Sequence, residues 1–181
     1  MKGKQIEEVK ALNLIELRRY ELLKRKKEED TIIFTVKVSR GRKAVIVCLL
    51  NKKVVGVVYA RKLRKLIDTK GVEKGVIVAN SRYTAACKRD ARKFGIELIP
   101  RHFPSFNIFK HELVPKHEIL PPEKAETLLE KYHIKAHQLP RIKANDAAII
   151  AIGAKAGNII KITRKSPTAG KYIAYRHVVP A

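Results

Sequence analysis

GNIIKITRKSPTAGKYIAYRHVV, residues 157–179, consists of two runs of β-branched and aromatic residues separated by SPTAG. Such side chains suit the pleated, half-buried surface of a strand, whereas Ser, Pro and Gly suit a turn. The stretch predicts two closing strands joined through a hairpin. Just before it, NDAAIIAIG (145–153) predicts a short helix with Asn145 as cap and Gly153 as stop. PEKAETLLEKYH (122–133) predicts a longer helix, with Pro122 in its first turn and Ala125, Leu128, Leu129 and Tyr132 on a buried face. Ahead of it, the prolines of HELVPKHEILPP (111–122) force extended or turning backbone.

RHFPSFNIFK (101–110) has an early proline and no clear period, which marks a domain boundary. The expected division is 1–104 and 105–181. Upstream of it, residues 5–27 carry Val9, Leu12, Leu14, Ile15, Leu17, Leu22 and Leu23 among many charges, without Pro or Gly, and predict one long helix. TIIFTVKV (31–38), KAVIVCLL (43–50) and KVVGVVYA (53–60) predict a strand meander, separated by SRGRK and NKK. ARKLRKLIDTKG (60–71) predicts a helix ending at Gly71. GVIVAN (75–80) then predicts a strand, residues 83–94 a helix with Ser81 as cap and Gly95 at its end, and IELIP (96–100) a last strand. The fold class is α/β (α+β), with a mixed sheet in the first domain and a small α/β domain after it.

The chain of 181 residues has 40 Lys plus Arg against 17 Asp plus Glu, a net charge of +23. That balance favours a polyanionic partner, because neutralised phosphates release condensed counterions. Lys37, Arg40, Arg42, Lys43, Lys52, Lys53, Arg61, Lys62, Arg64 and Lys65 fall in a window, 31–67, that holds no Asp or Glu. They are the candidate nucleic-acid contacts. No apolar run approaches the roughly 18 residues of a membrane span. MKGKQIEEVK lacks the apolar core of a signal peptide, and Cys48 and Cys87 form no CxxC pair. These features point to an intracellular protein with reduced, packed thiols.

Read in order, HELVPKHEIL, LLEKYHIKAHQLPRI, IGAKAGNIIKITRKSPTAG and KYIAYRHVV resemble the small H-type assembly subunit of archaeal RNA polymerase, which corresponds to the carboxy-terminal domain of the fifth subunit of eukaryotic polymerases. The resemblance runs from Phe109 to Val179. It implies a small α/β domain that performs no chemistry, docks on the largest polymerase subunit and helps build the lower jaw near downstream DNA. By position, the implied subunit interface is Pro115, Gln138, Leu139, Pro140, Arg141, Arg164, Ser166, Thr168, Gly170, Tyr175 and Arg176. Two turns depart from the family. Asp146-Ala147 stands where an Asp-Pro pair is usual, and Lys155-Ala156-Gly157-Asn158 where Lys-Pro-Gly-Asp is common. Both are expected to loosen turn geometry.

GVIVANSRYTAACKRDARKFGIELIP (75–100) resembles the later part of restriction-endonuclease-like domains, the fold of the eukaryotic jaw extension. Such nucleases hold Mg²⁺ with two or three carboxylates plus a lysine. KAVIVCLLNKKVVGVVYARK (43–62), the strand pair that supplies them, has no Asp or Glu, and Glu73, Asp90 and Glu97 lack the required spacing. No catalysis and no cofactor are expected. His133 and His137 sit four apart, as zinc ligands on one helical face sometimes do, but no HExxH string accompanies them. The expectation is a non-catalytic RNA polymerase subunit of an archaeal-type cytoplasm, associated with the nucleoid. Its partners are the largest subunit, other polymerase subunits and downstream duplex DNA. The rival is a diverged paralogue that binds structured RNA such as ribosomal RNA.

Overall fold

A computed structural model describes residues 5–38, 41–166 and 170–180. The chain forms two compact units that divide between Phe106 and Asn107. Residues 103–106 stay with the first unit: Phe103 is fully buried, and Asn13 Nδ2 donates to the carbonyls of Pro104 and Phe106 at 3.2 and 2.8 Å.

The first unit runs α1 (Ile6–Leu17), β1 (Glu21–Glu28), β2 (Thr31–Lys37), β3 (Lys43–Leu49), β4 (Val54–Val55), α2 (Val57–Lys70), β5 (Lys74–Ala79), β6 (Arg82–Tyr83), α3 (Ala85–Phe94) and β7 (Glu97–Ile99). Its main sheet has the order β1-β2-β3-β5-β7, antiparallel from β1 to β3 and parallel from β3 to β7. Alternation along β3 sends Val45, Val47 and Leu49 to a core with Ala60, Leu63 and Ile67 of α2 and Cys87 and Ala91 of α3. α1 packs on β3 and β5. Gly75 lets α2 close on β5, since a Cβ there would lie 2.6 Å from Ile67 Cδ1 and 3.0 Å from Leu63 Cδ2.

Three expectations fail here. The single helix over 5–27 is a helix followed by a strand. Arg19, at φ 53°, turns the chain out of α1, and ELLKRKKE pairs with β2 as an exposed edge strand. Its charges read as a helix surface, but long cations are also what an edge strand carries against unwanted pairing. The third meander strand shrinks to Val54–Val55, and VVYA opens α2 after Gly56, because Ala60, Leu63 and Ile67 then bury together at helical spacing. Thr84, not Ser81, caps α3, its hydroxyl accepting from Cys87 N at 3.1 Å.

The second unit runs β8 (Lys116–Ile119), α4 (Pro122–Lys131), β9 (Arg141–Lys143), α5 (Ala147–Ile152), β10 (Ile159–Ser166) and β11 (Gly170–Val179). The sheet order is β8-β10-β11-β9. β8, β10 and β11 are antiparallel, and β9 runs parallel to β11. Ile149, Ile160, Ile162 and Val178 form its small buried core. The predicted face of α4 is only half-buried and Tyr132 is 57% exposed, so that helix leans on the unit rather than filling it. Asp146, one residue after the expected Asn145, caps α5 by accepting from Ala148 N at 2.8 Å. Both altered turns are closed. Ala147 follows the cap without a proline, and Asn158 Oδ1 accepts from Lys155 N at 2.8 Å, a bond an Asp would make equally well.

Candidate functional site

The ten candidate nucleic-acid contacts do not form one field. Strand register puts Lys37, Arg42 and Lys43 at one end of the sheet and Lys52 and Lys53 beyond the other. Arg61, Lys62, Arg64 and Lys65 are exposed on the outer face of α2. Arg40 lies outside the described residues. Acids from beyond the basic window fold back onto it. Lys37 pairs with Glu21 at 3.3 Å, Arg42 with Glu73 at 3.4 Å, Arg61 with Asp90 at 3.4 Å, Arg64 with Asp68 at 2.9 Å, and Lys52 with Asp30. Lys43, Lys53, Lys62 and Lys65 keep no carboxylate partner among the described residues.

A concave site opens where parallel strands β3 and β5 end, the usual ligand crevice of an α/β sheet. It has a volume of about 470 Å³ and is lined by Glu7, Asn51, Lys52, Lys53, Asn80, Ser81, Arg82 and Arg101. β4 and β6 pair beside it, Val54 opposite Arg82. Behind it, Lys10 Nζ donates to Asn80 Oδ1 at 3.0 Å and to the Arg101 carbonyl at 2.6 Å. Burial pulls the Lys10 ammonium below its ordinary pKa, with nearby Arg101 adding to the effect and Glu7 opposing it. Glu7, Glu8, Lys10 and Asn13 are all buried on α1, as is Ser81 after β5. Sequence reading missed this polar helix face. Its trace is the three-residue spacing of Glu7, Lys10 and Asn13, which puts them on one side of a helix.

The lining of the cleft brings one carboxylate, Glu7, where the Mg²⁺ centre of a nuclease takes two or three. β3 carries no Asp or Glu, and the thiol of its Cys48 is pushed up by burial and by Glu8 and Glu7. Glu8 is ion-paired with Arg25. Glu73, Asp90 and Glu97 pair with Arg42, Arg61 and Arg18. Among the described residues, no three His, Cys, Asp or Glu side chains group as metal ligands. His133 and His137 share no helical face, because both lie past the end of α4.

In the second unit the family-implied interface residues fall at two ends of the sheet. Pro115, Arg164, Ser166 and Gly170 lie toward the hairpin tip, where Ser166 pairs with Gly170; Thr168 and the Ser166 side chain lie outside the described residues. Gln138, Leu139, Pro140, Arg141 and Arg176 gather where β9 meets β11. His177 N donates to the Pro140 carbonyl at 2.9 Å, and Arg176 Nη1 to the Arg141 carbonyl at 3.3 Å. Gln138 Oε1 accepts from Lys135 N at 2.6 Å, which makes it a turn residue as well. Cross-strand pairing puts Arg164 and Arg176 on the face of Ile160 and Ile162, and Tyr175 on the opposite face beside Lys161.

Comparison with known proteins resolves the two units separately. The restriction endonuclease family matches residues 2–102, and the family described as RNA polymerase Rpb5, C-terminal domain, matches residues 106–178. The DNA-directed RNA polymerase subunit Rpo5 of Thermococcus onnurineus is 61% identical over 74 residues, which are 41% of this chain and 90% of that one. The chain belongs to the restriction endonuclease family through its first unit and to the Rpb5 C-terminal domain family through its second. The Rpo5 subunit of Pyrococcus abyssi is 64% identical over 74 residues, with the same coverage. That of Methanocaldococcus jannaschii is 55% identical over 69 residues, 38% of this chain and 88% of that one. Among solved structures, EndoMS in apo form aligns with a TM-score of 0.42 and 20% identity, over 54% of this chain and 46% of that one. The resemblance to the small polymerase assembly subunit and the nuclease-like fold of the first unit are both confirmed. The second unit is an RNA polymerase subunit domain. Among the described residues, no helix is long and apolar enough to cross a membrane.

Proposed function

We propose that the chain serves as a non-catalytic subunit of a DNA-directed RNA polymerase. Its second unit docks on the largest subunit, and its first holds downstream duplex DNA through phosphates without cutting it. One juxtaposition carries the reading: an Rpb5-type domain shares a chain with a nuclease-family unit whose β3 contains no Asp or Glu.

Docking is supported by what the second unit leaves outside. Leu113 is 84% exposed and Tyr172 55%, against a core of four fully buried residues. Apolar surface of that kind suits a protein partner. Arg164 and Arg176, on one face, suit bidentate contacts to a partner's carboxylates. DNA binding is supported by the net charge of +23 and by Lys43, Lys53, Lys62 and Lys65, which have no carboxylate partner among the described residues. Lysines without a base-reading element position a duplex rather than read it.

The test is to incubate the purified chain with supercoiled plasmid and Mg²⁺ and to measure duplex affinity in parallel. Intact plasmid, with affinity that falls with salt equally for unrelated sequences, fits the reading. Cleavage that persists through purification contradicts it.

A further inference from the structure

At the strand-end cleft, Lys53, Arg82 and Arg101 have no carboxylate partner among the described residues. The other charges there are locally matched. Lys52 pairs with Asp30, and Glu7 acts on Lys10 through electrostatics without a direct ion pair. Ser81 lines the same cleft and is 5% exposed, yet its Oγ has no hydrogen-bond partner. A buried hydroxyl left unpaired is costly, and a turn of the Ser81 side chain toward a ligand oxygen in the cleft would relieve it. Asn80 gives its Oδ1 to Lys10, which leaves its Nδ2 as a further donor.

We infer that this cleft binds a phosphomonoester, carried either by a free nucleotide or by the 5′-phosphorylated end of a nucleic acid strand. Three unmatched cations exceed what one backbone diester requires and suit a dianion. A volume of about 470 Å³ falls in the range of small-ligand sites and is large enough for a nucleotide. The lysines on the outer face of α2 differ: they stand on a convex helix with no buried donor beside them, and they serve the duplex contact proposed above. The cleft is a separate site, and its occupancy does not depend on that contact.

The experiment is an NMR titration of the isotope-labelled full chain. The probes are AMP, adenosine, and two oligonucleotides that differ only in a 5′-phosphate or 5′-hydroxyl. AMP and the phosphorylated strand are expected to shift the amides of Asn51, Ser81 and Arg82, while adenosine and the hydroxyl strand leave them in place. Arg82→Glu is expected to weaken AMP binding about tenfold or more. Ser81→Ala should weaken it about threefold. Tighter binding of AMP identifies a free nucleotide as the source, and tighter binding of the phosphorylated strand identifies a strand end; either supports the site. Arg82 is exposed, so its replacement leaves the fold intact, which unshifted resonances elsewhere will verify. Equal shifts with and without the phosphate, no shifts at all, or an unchanged affinity in Arg82→Glu would overturn the inference.

Discussion

Arg18 and Glu97 form a two-pronged ion pair that ties the end of α1 to strand β7. Arg18 Nη1 donates to Glu97 Oε2 at 2.8 Å and Nη2 donates to Oε1. The arginine side chain is 4% exposed and the carboxylate 40%, so the two partners are unequal. Glu97→Ala removes the carboxylate from a buried cation that then keeps only its hydrogen bond with Tyr20, and is expected to destabilise the first unit by about 3 kcal/mol. Arg18→Met leaves only a half-exposed carboxylate and is expected to cost about 1 kcal/mol. Hydrogen exchange at the β7 amides measures both. Equal effects would mean that the pair is not what anchors β7.

Gly75 is the close-approach point between β5 and α2. Gly75→Ala drives a methyl group into Ile67 and Leu63, both buried, and is expected to destabilise by about 1–3 kcal/mol. Adding Ile67→Val should recover part of that loss, which a double-mutant cycle in hydrogen exchange would detect.

Cys48 and Cys87 are buried free thiols. Burial raises both above the ordinary value of 9.0, with Glu8 and Glu7 adding to Cys48 and Asp90 to Cys87. Above that pH the unfolded chain gives up these protons while the folded chain keeps them. The thiols' contribution to stability is therefore complete below about pH 9 and is lost as pH rises beyond it. Cys48→Ala should flatten the alkaline fall in stability. In native protein near neutral pH, neither thiol should react with a thiol reagent until denaturant is added.

The second unit is legible in the sequence because its signals are local. Pro122 opens α4, Gly153 stops α5, and the β10–β11 pairing follows from two β-branched runs around a turn. The first unit is legible where one element buries one face, as at α2 and its Gly71 stop. It is illegible where tertiary pairing decides. ELLKRKKE becomes a strand because β2 offers an edge, which no property of the segment itself records. The cleft is hidden for a similar reason. Asn51, Ser81 and Arg101 meet only because β3 and β5 are parallel neighbours that end together and the segment after β7 returns beside them. The acid-free window misleads because Glu21, Asp30, Glu73 and Asp90 are distant in sequence and adjacent in space.

Lys62 and Lys65 stand exposed on α2 without carboxylate partners among the described residues. Replacing both with Ala should lower the slope of log affinity against log salt for duplex DNA by about 0.9 for each phosphate that is no longer neutralised. Arg61→Ala and Arg64→Ala should change it less, because their charges are already shared with Asp90 and Asp68. A slope that is unchanged in the double lysine variant would remove α2 from the duplex contact.

The most direct test of polymerase membership is a gentle affinity pull-down of the tagged full chain from its own cells, with bound proteins and RNA identified. Recovery of the large RNA polymerase subunits near equal stoichiometry is the predicted result. Recovery of ribosomal proteins and ribosomal RNA in their place would contradict it, and would mean that the Rpb5-type fold was kept while its partner was exchanged.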